Sequence, residues 1–277
     1  MQQIKDLVAT DISRSLFEKI QRGIALQPYT DLYISAQGND ATADGTQDKP
    51  FKTIPKLLEF IKVKHGNSLV NNNIVVKFLS DFTDTRKLTF LYTNRWYIIF
   101  DANGYNVTLG GAFVRFCNIR FNGIAFTPQD DVKNRAFEIM QASNLFFYNC
   151  TFNPCSVPTT SYFVVRYHGT LTFSGNININ VGSSVTDDLF SSWAFSILYF
   201  EGDIQLQQNC TCKRVFYVTR QSEVSFIKEV TINQNGYTVN ASKYLVNKDS
   251  LIDTRGKGKD FLLGDQEGVL EKDGKIY

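Results

Sequence analysis

The sequence predicts an all-β chain wound as a parallel β-helix, a solenoid of about seven coils. Three observations point there. First, a phrase recurs from residue 90 to residue 254: two apolar residues one apart, a five-residue turn, then two more apolar residues one apart. The copies are Phe90/Tyr92 with Ile98/Phe100, Phe113 with Ile119/Phe121, Phe137/Ile139 with Leu145/Phe147, and Phe163/Val165 with Leu171/Phe173. Leu198 with Ile204/Leu206, Phe216/Val218 with Val224/Phe226, and Tyr244/Val246 with Ile252 complete the set. Second, the copies are spaced unevenly, at 21, 26, 26, 33, 20 and 28 residues, while the phrase itself keeps its length. Rigid strands with variable loops produce that combination. Third, another apolar pair often follows, as in Ile124/Phe126, Cys150/Phe152, Ile177/Ile179, Cys210/Cys212 and Val230/Ile232, giving up to three short strands per coil. Alternation with period two places residues i and i+2 on one face, and stacked copies bury what a lone strand cannot.

Other repeat folds fit less well. Leucine-rich repeats need a helical stretch and a Leu/Asn signature in each copy, and propeller blades need roughly 40–50 residues. An antiparallel sandwich also uses short strands, but does not predict one fixed offset seven times over.

Composition narrows the function classes. The chain has 277 residues, 29 Lys and Arg against 27 Asp and Glu, and a formal charge of +2, so no nucleic-acid footprint is expected. The 23 Phe and 13 Tyr fall largely on inward repeat positions. Of the five cysteines, Cys150, Cys210 and Cys212 occupy apolar repeat positions and are expected as buried thiols rather than metal ligands. No metal or cofactor is predicted. No run approaches the roughly 20 apolar residues of a membrane span, and no charged-then-apolar leader opens the chain. Synthesis in a reducing cytoplasm, with no membrane insertion, is the expectation.

Taken in order, residues 1–30 form an N-terminal segment in which 2–24 are expected to be helical. Ile4, Val8, Ile12, Leu16, Ile20 and Ile24 recur every four residues, and Gly23 and Pro28 mark the end. That helix either docks on its own solenoid or serves assembly with other subunits. Residues 31–254 hold the solenoid. A strand at Tyr33-Ile34 is followed by Gly38-Asn39-Asp40, Asp44-Gly45-Thr46 and Pro50-Phe51-Lys52-Thr53-Ile54. Thr53 is expected to cap a helix at about 54–63, with Pro55 in its first turn and Ile54, Leu57, Leu58 and Ile61 on one face. An open solenoid end exposes its core and strand edges, so that helix is placed as a plug. The loop with Asp130, Asp131, Lys133, Asn134 and Arg135 is expected to be a solvated turn. The 33-residue step implies an insertion at about 180–195, with Phe190 and Trp193 available for packing or sugar stacking. Residues 255–277 leave the repeat and are expected as a flexible or particle-docked C-terminal tail.

The opening at residues 33–61 resembles that of pectate-lyase-like right-handed β-helix proteins, most of all those in bacteriophage tail spikes and tail fibres. The resemblance is close there and extends to 74–254 only through repeat architecture. It implies a right-handed helix, a homotrimer on a virion, a host surface glycan as ligand, and other tail proteins as neighbours, reached through residues 1–24. The virion is the implied location, after synthesis in the host cytoplasm. Lyases of that superfamily use Asp-bound calcium with a basic residue. No matching acidic cluster stands on adjacent outward positions, where the second pair contributes Arg120, Phe146, Thr172, Gln205, Ser225 and Asp253.

Residues at one offset of the phrase stack about 4.8 Å apart. Three past the first pair the column contains Ala142, His168, Glu201, Gln221 and Asp249; five past it contains Asn144, Thr170, Asp203 and Glu223. This predicts His168 beside Glu201 and Asp203 beside Glu223, with Arg166 and Arg220 near. Asp203, Glu223 and Glu201 are therefore the candidate catalytic residues. A carboxylate pair about 5–5.5 Å apart would suit a retaining glycosidase. His168, Arg166, Arg220 and Trp193 are the candidate glycan contacts. No Gly-x-Ser-x-Gly elbow or Walker loop is present, and His65 has no evident partner. Two functions follow as expectations: a structural or receptor-binding virion protein, and a small polysaccharide depolymerase.

Overall fold

The computed structural model describes residues 30–65, 72–91, 96–129, 135–226 and 229–277. The expected helix at 2–24, Tyr92 and most of the 130–135 loop lie outside them. Three sheets of ten, eight and seven strands run the length of the described chain. Within them every strand pairing is parallel. One coil shows the path. Arg135–Met140 lies in the eight-stranded sheet, Asn144–Tyr148 in the ten-stranded sheet, Thr151–Phe152 in the seven-stranded sheet, and Thr159–Arg166 begins the next coil beside Arg135–Met140. The fold is a parallel β-solenoid, as the sequence predicts.

The register differs from the sequence reading in one coil, and that difference reorders the outer surface. Ile139, Val165, Ser192, Val218 and Val246 stack in one inward column. Ser192 is fully buried there, its hydroxyl donating to the carbonyl of Ser196 at 3.2 Å. A serine at an apolar position hides the strand, so the fifth copy is Phe190/Ser192 with Leu198/Phe200, and Ile204/Leu206 is its third pair. The supposed insertion at 180–195 is the strand Val185–Trp193. Coil spacing becomes 26, 27, 26 and 28 residues along that column. Smaller corrections follow the same logic. Ala112 and Val114, not Phe113, face inward, and Leu88/Phe90 replaces Phe90/Tyr92. Cys210 and Cys212 open the strand Cys210–Thr219 rather than closing a coil, and both are buried free thiols.

The interior is built of rings in files. Phe100, Phe121, Phe147, Phe173, Phe200 and Phe226 stack coil upon coil at centroid distances of 5.3, 5.9, 5.6, 5.2 and 4.8 Å. A second file, Phe137, Phe163, Phe190 and Phe216, repeats at 5.2, 5.2 and 5.3 Å. The two files meet edge to face, as Phe163 and Phe173 do at 5.0 Å and 86°. Parallel strand spacing sets the stacked distance, and the ring quadrupole favours the perpendicular contacts between files.

A helix covers one end of the solenoid. The helix Ile54–His65 buries Ile54, Leu57 and Ile61 in the same core, and Phe60 packs on Phe51 at 5.1 Å. Thr53 caps it, Oγ1 accepting from the Lys56 amide at 3.4 Å. Asp40 fastens the preceding loop by accepting from the Lys52 and Thr53 amides at 2.7 and 3.1 Å and from the Thr53 hydroxyl at 2.7 Å. At the other end, residues 255–277 do not leave the repeat. Val269–Leu270 pairs with Val239–Val246, and Lys275–Ile276 pairs with Leu251–Asp253. These strands are two residues long and mostly exposed, too little apolar signal to register as a copy.

Candidate functional site

The solenoid presents three outer faces of different chemistry. The seven-stranded sheet carries neutral amide and hydroxyl ladders, Thr127 to Asn153 to Asn180 and Thr151 to Asn178 to Gln207. The ten-stranded sheet carries a partly exposed aromatic stripe, with Arg120 over Phe146 and Tyr148 at 5.8 and 5.2 Å. The eight-stranded sheet carries arginines, aromatics and two buried carboxylates, and its corner with the ten-stranded sheet is the candidate site.

The corner is made by one turn repeated coil after coil. Gln141-Ala142, Tyr167-His168, Ala194-Phe195, Arg220-Gln221, Lys248-Asp249 and Lys272-Asp273 all have positive φ, between 45° and 66°. Left-handed backbone costs a residue with a side chain about 1–2 kcal/mol. Stacking offsets it, because the turns hydrogen-bond to one another. Tyr167 N donates to Trp193 O at 3.3 Å, His168 N to Ala194 O at 3.2 Å, and Phe195 N to Arg220 O at 3.1 Å. Ser143, Gly169, Ser196, Ser222, Ser250 and Gly274 end the turns. Serine hydroxyls link successive coils, as from Ser196 N to Ser222 Oγ at 3.2 Å, and at Gly274 a Cβ would stand 2.2 Å from Val246 O. The outcome is a ledge whose turn side chains, buried Ala194 and half-buried Gln141 apart, are exposed at strand spacing.

On this ledge Phe195 is 52% exposed and its ring lies flat against exposed His168, centroids 5.2 Å apart and 8° from parallel. Tyr167, 39% exposed, stands 6.5 Å from Trp193. Just inside the ledge, Arg166 and Trp193 are register partners and stack, guanidinium to ring centroid 5.5 Å; Arg135 covers the same ring at 5.9 Å. Glu138 accepts from Arg135 Nη1 at 2.8 Å and pairs with Arg166. One row further in, Asp188 accepts from Arg214 Nε at 2.6 Å and from the Ser191 hydroxyl at 3.2 Å. Burial nevertheless pushes the Asp188 carboxyl above its ordinary value, against the pull of Arg214. Three arginines thus face two carboxylates on the sheet, with Arg220 exposed on the ledge beyond them.

The structure brings the expected glycan contacts together and separates the expected catalytic ones. His168, Arg166 and Trp193 share the corner, and Arg220 occupies the next turn. The expected neighbour of His168, Glu201, is replaced there by Phe195. Asp203 and Glu223 are not adjacent. Asp203 opens a strand of the seven-stranded sheet opposite Asn176, whereas Glu223 lies in the ten-stranded sheet opposite Ile197 and Leu251. Glu201 follows the strand Ile197–Phe200, its amide donating to Phe173 O at 2.8 Å. The Thr231 hydroxyl and amide hold Asp203 at 2.7 and 3.0 Å and keep its carboxyl below the usual range, the reverse of what a proton donor needs. The slipped coil explains the misplacement of Glu201 and Asp203, whereas Glu223 stands in its expected column, after Asn144, Thr170 and Ile197.

Arg135, expected in a solvated turn, instead opens the strand Arg135–Met140 and covers Trp193, and Glu138, Asp188, Phe195 and Arg214 were missed. Glu138 is recoverable as an acidic residue between Phe137 and Ile139, outward but flanked by core. Phe195 gave no signal, because an aromatic in a supposed insertion has no register. A groove of about 370 Å³ lies elsewhere, at the capped end, lined by Ile54, Pro55, Leu58, Asp84, Arg86 and Leu88, and shares no residue with the corner. Among the described residues, no group of three His, Cys, Asp or Glu is placed to hold a metal ion, and no helix is long and apolar enough to cross a membrane. Comparison with protein-family models, curated proteins and solved structures finds no match to this chain.

Proposed function

We propose that this chain is a virion-associated protein of the phage tail spike or tail fibre type, whose solenoid holds an aromatic and arginine ledge against host surface glycans and binds them without cleavage. The observation that carries the reading is Phe195, half exposed and stacked flat on His168 in a backbone conformation that costs energy. Exposed aromatic surface and strained turns concentrate where proteins bind. A flat ring pair beside Tyr167, Arg166 and Trp193 suits sugar rings, which offer one apolar face and a rim of hydroxyls. The β-solenoid and the opening at residues 33–61 supply the link to tail proteins. In this reading the chain assembles as a homotrimer and meets other tail proteins through residues 1–24.

Binding rather than hydrolysis is favoured because the carboxyls beside the Phe195–His168 pair are engaged; the exposed carboxyls of the ledge, Asp249 and Asp273, stand two and three turns beyond Phe195. Glu138 and Asp188 are both locked to arginines, and Asp203 is held ionised. The test is binding of purified protein to a panel of bacterial surface polysaccharides, with reducing-end release followed in parallel. The reading expects binding without release, weakened at least tenfold in Phe195→Ala. Release that disappears in Asp203→Asn or Glu223→Gln would replace it with the depolymerase. Light scattering at 94.5 kDa, three copies of the 31.5 kDa chain, is expected for the assembled form.

A further inference from the structure

We infer that the glycan recognised at this corner is anionic, its sugars bearing carboxylate or phosphate, and that Arg166 Nε and Trp193 Nε1 are the donors that receive the oxyanion. The inference rests on the glycan-binding reading of the ledge and adds the ligand's charge and the atoms that read it.

Two observations lead there independently. The first is hydrogen bonding. Arg166 Nε and Trp193 Nε1 are buried and have no acceptor. They belong to register partners whose side chains stack on each other. Buried donors are nearly always paired, and each unpaired one costs about 1–3 kcal/mol. Two such donors on adjoining side chains, at the edge of an exposed ledge, match one ligand oxygen group. The second observation is charge. At this point Arg135 and Arg166 both lie on the Trp193 ring and share one carboxylate, Glu138, with Arg220 on the next turn; farther along the strand Arg214 is matched by Asp188. The carboxylates are consumed by their arginines, and the surplus is positive. Desolvated guanidinium beside an aromatic ring suits a planar carboxylate or a phosphate.

The stacked pair is then a resting arrangement. Both N–H groups are covered, so the oxyanion reaches them when the Arg166 guanidinium slides off the Trp193 ring. Glu138 keeps its bond to Arg135 during that movement, so no buried carboxylate is stranded. The same fact makes variants practical: Arg166→Gln leaves Glu138 paired. Trp193→Phe keeps a ring for stacking and removes only the N–H.

The experiment measures affinity for a polysaccharide panel in which each acidic member is accompanied by its carboxyl-reduced neutral form, with phosphate-bearing polymers as a second arm. Wild type, Trp193→Phe, Arg166→Gln and Phe195→Ala are compared, and Trp193 fluorescence is followed in a Trp96→Phe background. The expected result is binding to at least one anionic polymer, lost on neutralisation, weakened about tenfold or more in Trp193→Phe and Arg166→Gln, with a Trp193 spectral shift on binding. Which arm responds identifies carboxylate or phosphate. Binding that survives neutralisation and both donor variants, yet falls in Phe195→Ala, overturns the inference and leaves the glycan reading standing. Binding to no polymer overturns both.

Discussion

Removing the ring of Phe147 tests whether the interior files hold the solenoid together. Phe147 is fully buried and meets six rings: Phe121, Phe126, Phe137, Phe152, Phe163 and Phe173, with centroids between 4.8 and 6.2 Å. Phe→Ala in a core costs about 3–5 kcal/mol, transfer and cavity together. Collapse is restricted here. The strand of Phe147 is paired in register to Asn118–Asn122 on one side and Thr170–Ser174 on the other, so the backbone cannot follow the missing ring inward. A loss of about 4–5 kcal/mol is expected, read as a lower midpoint in urea unfolding with the slope m unchanged. Phe195→Ala removes an equally large side chain from the surface and is expected to cost less than about 0.5 kcal/mol. A loss under about 1.5 kcal/mol for Phe147→Ala, or equal losses for both, would refute the packing argument.

Further expectations concern single polar groups. Asp40→Ala removes the acceptor of three bonds that fix the capping loop, and about 1–2 kcal/mol should be lost by the same unfolding measurement. Asp188 is held protonated more readily in the fold than in the open chain, so its contribution is full below pH 3.8, the ordinary value, and declines as pH rises through the raised one. Asp188→Asn should flatten that stretch of the stability profile; an unchanged profile would count against the burial argument. Asp203 behaves oppositely: its lowered value adds stability that disappears as pH falls through it. Thr231→Val should raise the Asp203 titration midpoint, measurable by carboxyl NMR, and no movement would mean that the Thr231 bonds do not set it.

The architecture was legible because stacking repeats a simple rule. A five-residue turn between apolar pairs is the left-handed corner seen from outside, and the register was correct in the copies that begin at Phe137, Phe163 and Phe216, where both pairs are apolar; the first copy, read as Phe90/Tyr92, was two residues out. The register failed again where chemistry interrupted the alternation. Ser192 satisfies its hydroxyl within the core and so occupies an inward position without looking apolar. One displaced coil then moved Glu201 into the place of Phe195 and Asp203 into that of Ile197. The plug helix was visible through its cap and spacing. The last coil was not, since strands of two residues depend on pairing with a finished coil rather than on their own pattern. Within the corner, His168 and its neighbour Arg166 were identified from rarity and column position, and Trp193 as an aromatic of the supposed insertion. The carboxylates that matter, Glu138 and Asp188, were passed over because burial of a charged side chain on an outer face arises only from neighbours on other coils.

The central claim is that the corner, and not another face, meets the glycan. Hydrogen exchange with and without a saturating bound polysaccharide tests it most directly. The account predicts added protection confined to the peptides spanning Arg166-Tyr167-His168, Trp193-Ala194-Phe195 and Arg220-Gln221, on successive turns of one edge. Protection centred on the amide ladders of the seven-stranded sheet or the stripe at Arg120, Phe146 and Tyr148, with the corner unchanged, would contradict it.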